Sequence, residues 1–342
     1  MNAFTAPRAF ITGCAATSLT PDETAFLKEA APWGLILFRR NIESPAQVAA
    51  LVAAFRQAVG RADAPVLVDQ EGGRVQRLGP PHWPVYPPAE VFARRAEAGD
   101  MDGAAQAARL GARLMATDLA ALGITVDCVP CADLRLPEGH GIIGDRAYGA
   151  TPSQVADLAR AAAEGLMSGG VLPVLKHIPG HGRARADSHE SLPIVETSRA
   201  ELEATDFAPF RLLADLPLGM TAHVVYAAID PDRPATTSPK VIEEIIRGHI
   251  GFDGALMSDD LSMGALAGSL AHRTEASFAA GCDLALHCNG RLDEMAEVAS
   301  RSPVLAGEAA RRCAAALARI KPAEEIALGE ARARFSAMIA AS

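Results

Sequence analysis

Three short stretches concentrate the side chains of this protein that can do acid–base or nucleophilic chemistry. The densest runs Lys176-His177-Ile178-Pro179-Gly180-His181-Gly182, then Arg183–Ala186, then Asp187-Ser188-His189-Glu190-Ser191-Leu192-Pro193. It begins where the chain leaves an apolar run, and Gly180 and Gly182 permit a sharp bend or a hinge there. Asp187 and His189 stand two residues apart, so a local turn sets a carboxylate against an imidazole. Such a partner fixes the ring's tautomer and stabilises its protonated form, which suits a general acid. A solvated polar loop explains any one of these residues, but explains the whole cluster poorly.

The second stretch, Leu256-Met257-Ser258-Asp259-Asp260-Leu261-Ser262-Met263, puts two adjacent carboxylates after an apolar strand. One Asp can cap a following helix. Asp259, nearest the strand end, is the candidate nucleophile, and Asp260 is a support for it or for the loop. The third, Val66–Arg77, ends a strand in Asp69 and continues into a Gly-rich turn bearing Arg74 and Arg77. A carboxylate there can accept paired hydroxyls from a sugar, and an Arg can donate two parallel hydrogen bonds. Structural salt bridging is the preferred reading for Glu71 and Arg74. Arg146 follows a fourth strand, and His223 ends a sixth, where a packed, hydrogen-bonded ring is as good an account as a ligand contact. Cys128-Val129-Pro130-Cys131 has CxxC spacing, but no second pair follows and the run is apolar. Both thiols are read as buried strand residues rather than metal or redox ligands.

The elements that must position these residues alternate along the chain. Strand-like runs are Ala9–Cys14, Gly34–Phe38, Pro65–Asp69, Thr125–Val129, Val171–His177, Leu218–His223, Ala255–Ser258 and Asp283–His287. Between them, Pro45–Val59, Gly103–Leu122, Pro152–Met167, Pro239–Ile250 and Thr274–Ala280 repeat apolar residues at helical spacing. Thr20-Pro21, Ser44-Pro45, Thr151-Pro152 and Ser238-Pro239 each set a capping hydroxyl before a first-turn proline. Gly123, Gly169-Gly170, Gly251 and Gly281 close helices. About eight such alternations predict an α/β fold, a closed (β/α)8 TIM barrel over residues 1–290, with C-terminal helices over 291–342 packed on it. An open doubly wound sheet is the rival, and it lacks any GxGxxG or GxxxxGK[ST] after the first strand. In a barrel, functional residues belong just after strand C-termini, and the three stretches lie there.

Of 342 residues, 49% are hydrophobic and 21% charged, as in a globular protein with a large core. The 32 Lys and Arg against 41 Asp and Glu give a formal charge of −9, which argues against nucleic acid or an anionic membrane as partner. Apolar runs fall far short of the ~20 residues of a membrane helix. No charged leader and apolar run open the chain, and six cysteines are too sparse for a disulfide scaffold. A cytoplasmic monomer is the expectation.

Together, Gly34–Arg40, Asp69–Leu78, Gly144–Gly149, Lys176–Gly182, Asp187–Pro193, Thr221–His223, Arg233–Pro239, Ser258–Met263 and Gly281–Cys288 resemble the β-N-acetylglucosaminidases of glycoside hydrolase family three, of the single-domain bacterial peptidoglycan-recycling type. The resemblance implies a (β/α)8 fold and removal of terminal β-linked N-acetylglucosamine with retention, from a small glycan or muropeptide and without a cofactor or metal. It implies Asp259 as nucleophile and His189 as acid/base, oriented by Asp187. Sugar-binding roles fall on Asp69, Arg77, Arg146, Lys176 and His177. Ile178 stands where the family usually has Phe, and Ala147-Tyr148 where it has Ser-Phe. Two arginines in Arg183–Ala186 favour an anionic aglycone. The rival chemistries are metal-dependent hydrolysis through His177, His181, His189, Asp187 and Asp259, phosphorolysis on the same site, and silent sugar binding. Lys176 would repel a cation from the first of these sets.

Overall fold

Eight short runs of buried apolar residues become eight parallel strands: β1 (Arg8–Thr12), β2 (Pro32–Leu37), β3 (Val66–Val68), β4 (Val126–Asp127), β5 (Leu172–Ile178), β6 (Leu218–Thr221), β7 (Ala255–Asp260) and β8 (Leu284–His287). The structure is a computed structural model that describes residues 6–137, 139, 141–188 and 191–340. The strands close into one barrel, β8 pairing with both β7 and β1, so the fold is the (β/α)8 barrel that the alternation predicts. Each strand falls on a run read as one. β4 is shorter than expected because the Val129 N–H turns back to the Asp127 carbonyl, although the carbonyls of Val129 and Pro130 still accept from Val174 and Lys176.

Side chains alternate across the barrel wall with period two. Ile11, Leu67, Val174, Met220, Met257 and Leu286 fill the interior, while Leu35, Val66, Val68, Leu175 and Leu256 face the surrounding helices. Those helices are α1 (Pro21–Ala30), α2 (Pro45–Val59), α3 (Ala89–Glu97), α4 (Met101–Ala120), α5 (Pro152–Ser168), the short α6 (Arg199–Ala204) and α7 (Ala208–Leu212), a helix of wide π-type turns over Val241–His249, and α8 (Leu270–Ala280). α3, α6 and α7 are additions to the sequence reading.

Of the expected caps, Thr20 forms a full capping box with Glu23, Ser44 accepts from Gln47, and the Ser238 hydroxyl accepts from Val241 N. Thr151 precedes α5 but makes no side-chain cap bond, so that expectation is corrected. Gly123, Gly170, Gly251 and Gly281 all adopt the positive φ that helix closure needs.

Beyond Gly290 the chain forms α9 (Leu292–Arg301), α10 (Gly307–Leu317) and α11 (Leu328–Ala340). Val298 and Ala299 of α9 pack with Phe10 and Ala285 of β1 and β8. α10 sends Cys313 and Ala316 into the interior cluster and packs on β7, while Val304, just before it, bridges to Arg8 at the start of β1. The N-terminal end of the barrel is thereby stoppered and the C-terminal end left open. No helix among the described residues is long and apolar enough to cross a membrane.

α4 and α5 cross so closely that a Cβ on Gly165 would collide with the Arg109 carbonyl oxygen and touch Ala112 Cβ. Helix propensity alone favours Ala over Gly by about 1 kcal/mol, but overpacking against backbone costs about 1–3 kcal/mol. Gly165→Ala is therefore expected to lower the midpoint of thermal or urea unfolding. A raised midpoint would show that the crossing yields and propensity wins.

Candidate active site

The period-two rule that fills the barrel also builds its mouth. Continuing the inward register one step beyond Leu67, Val174, Met257 and Leu286 reaches Asp69, Lys176, Asp259 and Cys288. All four line one open cavity of about 430 Å³, floored by Ile36, Met220 and Leu286. Glu71, Arg74, Arg77, Arg146, His177 and Asp260 join them.

One wall is an unbroken chain of ion pairs. Arg77 Nη2 meets Asp69 Oδ2 at 2.8 Å, and Lys176 Nζ bridges Asp69 Oδ1 at 3.0 Å and Glu71 Oε1 at 2.7 Å. Glu71 then takes both Nε and Nη2 of Arg146 at 2.8 Å, a fork-to-fork pair. Burial alone pushes the Asp69 carboxyl up, but Lys176 and Arg77 more than reverse this and hold it well below the carboxylate range. Burial likewise opposes Glu71, yet Arg146 and Lys176 bring it down to about 2. Burial opposes the charge on Lys176 too, and its two carboxylates raise it above its ordinary value. All three groups are therefore charged across the working range of pH.

Local sequence explains the hold on Asp69 and Glu71. Gln70, buried, accepts the N–H groups of Arg77 and Leu78 on Oε1 and donates Nε2 to Leu78 O. That clamp closes the small hairpin of Gln70–Gly72 with Val75–Gln76. Gly72 and Gly73 take φ of 92° and 57° in its turn, pressed against Pro87 and Pro88. Glu71 and Arg74 are ion-paired, as salt bridging predicts, Arg74 to Asp145 at 2.8 Å. Glu71, however, sits inside the cavity among the sugar-binding candidates, a place the sequence reading did not give it.

Asp259 lies across the mouth on β7. Its N–H donates to Thr221 Oγ1 at 3.3 Å and its Oδ1 accepts the Asp260 N–H at 2.8 Å, so the carboxylate is oriented from its own backbone. Asp260 ties the loop: Oδ1 accepts from Ser262 N and Cys288 N, and Oδ2 from Ser262 Oγ at 2.7 Å. His223 is packed rather than free. Its Nε2 lies 3.0 Å from the Asp260 carbonyl, which can only accept, so that nitrogen carries the proton and Nδ1 accepts from Thr236.

The sequence reading overlooked Asp133. It is buried just beyond β4, and its Oδ2 lies 2.7 Å from His177 Nδ1 while its Oδ1 accepts the His181 N–H at 2.6 Å. Burial pushes its carboxyl up, but the two histidines bring it down to about 2. With Nδ1 engaged, Nε2 is the nitrogen His177 has left for a ligand in the cavity. The rule that chemistry follows strand ends would have found Asp133, since it follows the fourth strand. Cys131, Asp133 and His177 form the group among the described residues whose donor atoms gather within 4.8 Å as a metal site requires. Asp133 Oδ2 is already shared by His177 and the Cys131 thiol. Cys128 and Cys131 are both buried, as expected, with burial pushing each thiol far up.

His189 and its neighbour Glu190 lie outside the described residues, so the expected Asp187–His189 contact does too. Asp187 is half-buried, its carbonyl accepting from Ser191 N. Of the two arginines expected to favour an anionic aglycone, Arg183 pairs with Asp206 at 2.8 Å and Glu201 at 2.9 Å, and Arg185 is exposed. Gly180 and Gly182 mark close approach: a Cβ on Gly182 would strike the Leu134 carbonyl, and Gly180 packs on Asp206.

A closed parallel barrel with carboxylates and bases gathered at its strand ends is the site of a TIM-barrel enzyme. The chain belongs to glycosyl hydrolase family 3, whose N-terminal domain matches residues 15–321. A beta-hexosaminidase of Pseudomonas aeruginosa is 42% identical over 278 residues, 80% of this chain and 80% of that protein. The crystal structure of NagZ from Neisseria gonorrhoeae in complex with N-trifluoroacetyl-D-glucosamine matches with a TM-score of 0.86 at 33% identity, over 98% of each chain. The beta-N-acetylglucosaminidase from Thermotoga maritima matches with a TM-score of 0.74 at 25% identity, over 92% of this chain and 67% of that one.

Glu71→Gln leaves Lys176 and Arg146 short of a buried counter-charge and is expected to cost about 3–5 kcal/mol at neutral pH. Glu71 falls from an ordinary value of 4.5 to about 2 in the folded protein. Its contribution is thus fully present above ~4.5 and is lost as pH falls toward 2. Urea unfolding of both proteins across pH should show a gap that is widest above ~5 and narrows in acid. A gap independent of pH would mean that Glu71 acts by shape alone.

Proposed function

We propose that this protein is a retaining exo-β-N-acetylglucosaminidase that releases terminal β-linked N-acetylglucosamine from anhydro-muropeptides in the cytoplasm, with Asp259 as nucleophile and His189 as acid/base. As a family 3 member with beta-hexosaminidase relatives, it is a glycoside hydrolase of the β-N-acetylhexosaminidase type. The observation that carries the finer reading is the disposition of Asp259, an oriented carboxylate across a cavity from the Arg77–Asp69–Lys176–Glu71–Arg146 chain. A pyranose held by hydroxyl contacts to Asp69, Lys176, Arg146 and His177 presents its anomeric carbon to the opposite side.

Asp259 then attacks C1 as the glycosidic bond breaks, while the His189 imidazolium gives its proton to the leaving oxygen. The same imidazole, now neutral, deprotonates the water that resolves the glycosyl-enzyme. The ion chain supports this sequence, because groups whose charges and positions are already fixed need no reorganisation as the sugar flattens toward an oxocarbenium-like state. The N-acylated glucosamine held by the Neisseria protein supports the choice of sugar.

An activated fluoro-sugar of the N-acetylglucosamine series should trap the covalent intermediate, and mass spectrometry of the digest should find the label on Asp259. Asp259→Ala is expected to lose at least ~10³-fold in hydrolysis while still binding N-acetylglucosamine. A label on another residue, or near-normal turnover by that variant, would overturn the assignment. Sugar 1-phosphate appearing in phosphate buffer would instead reveal phosphorolysis.

A further inference from the structure

The segment that leads to His189 is fastened one residue before it. Ser188 is 4% exposed, whereas Arg185 is exposed and Ala186 and Asp187 half-buried. Its carbonyl accepts the Ala265 N–H at 3.1 Å, in the loop that follows β7 and Asp259. Its hydroxyl lies 3.2 Å from His181 Nε2, in the loop that follows β5. One residue is thus tied to the loops on both sides of the proposed reaction centre.

His181 is itself held firmly. Its backbone N–H is bonded to Asp133, and its ring packs edge-on against His177 with centroids 5.8 Å apart. Its Nδ1 is buried and has no hydrogen-bond partner among the described residues. An orphaned buried N–H is rarer than an orphaned acceptor, so Nδ1 is the bare nitrogen and Nε2 carries the proton. His181 therefore donates to Ser188 Oγ. Burial, reinforced by His177, depresses the ring to about 4, which leaves it with that single proton. The Ser188 hydroxyl keeps its own hydrogen to donate onward. Neither residue has a role in the chemistry proposed above.

We propose that His181 and Ser188 are a positioning pair for the acid/base step, fixing the backbone at the residue that precedes His189. This rests on His189 being the acid/base. Proton transfer needs heavy atoms within ~2.6–3.2 Å, and a misplacement of ~1 Å costs up to ~10²-fold. Loosening the pair should therefore hurt substrates in proportion to their need for a proton, which a purely structural bond would not.

The experiment compares kcat/KM for N-acetylglucosaminides whose leaving groups run from a dinitrophenol to a simple alcohol, using the full chain. Ser188→Ala is expected to lose about tenfold on the alcohol and less than about twofold on the dinitrophenol, the size of one neutral hydrogen bond in a geometry-sensitive step. Ser188→Thr, which keeps the hydroxyl, should recover the loss. Adding His181→Ala to Ser188→Ala should bring little further selective loss, because the pair is already broken. His189→Ala in the same series separates the two readings. If His189→Ala shows leaving-group selectivity and Ser188→Ala does not, the positioning pair is overturned. If His189→Ala itself shows none, the acid/base assignment falls first.

Discussion

A buried ammonium ion organises the mouth of this barrel. Lys176 is 2% exposed, and its Nζ lies between Asp69 and Glu71 within hydrogen-bonding distance of both. A charge that deep survives only if paired, and the two carboxylates survive beside each other only because it separates them. Arg77 and Arg146 extend the alternation outward on either side. Three cations against two anions leave one positive charge over, and Arg40 and Arg74 with Asp259 and Asp260 bring two further charges of each sign to the same cavity. Asp127, below the chain, shows what happens without such a partner. Burial pushes its carboxyl far above the ordinary value, and its Oδ2 has no hydrogen-bond partner among the described residues.

The barrel was legible because its signal is local and repeated. Each strand writes its pattern in a short run of consecutive residues, and the same period-two register carried to the C-terminal end of the strand names Asp69, Lys176 and Asp259 as cavity residues. What the sequence hides is whatever depends on residues far apart. Asp133 is 44 residues from His177, and a single Asp in a loop carries no mark of the imidazole it will hold. Glu71 looked like a salt-bridge residue and is one, but its partner Arg146 is 75 residues away along the chain. The stopper formed by α10 was invisible for the same reason: Cys313 and Ala316 lie in a helix whose alanine-rich face has no distinctive pattern.

In the loop after β5, Gly180 and Gly182, read from the sequence as permitting a sharp bend or a hinge, also permit close contact. The Tyr226 hydroxyl donates to the Gly180 carbonyl at 2.5 Å, Gly182 backs onto the Leu134 carbonyl, and Arg183 is bound to Asp206. The bonds of Tyr226 and Arg183 reach a backbone carbonyl and a buried carboxylate, and losing either would leave a buried polar group without its partner. Ser188 is then placed by two further hydrogen bonds, to Ala265 N and to His181 Nε2.

The charge pattern also explains why an imidazole suits the proposed acid/base position better than a carboxylate. Asp69, Glu71, Asp259 and Asp260 already line the cavity, two of them side by side at the end of β7. A further carboxylate would have to enter protonated and remain so beside Asp259, which demands strong desolvation. That would work against a mouth open enough to admit a sugar and its aglycone. A neutral imidazole adds no negative charge, and its ordinary pKa of ~6.5 lies near working pH without such tuning. Protonated, it adds the single positive charge that a carboxylate nucleophile can offset. The carboxylates that the cavity already holds thereby constrain which acid can work beside Asp259.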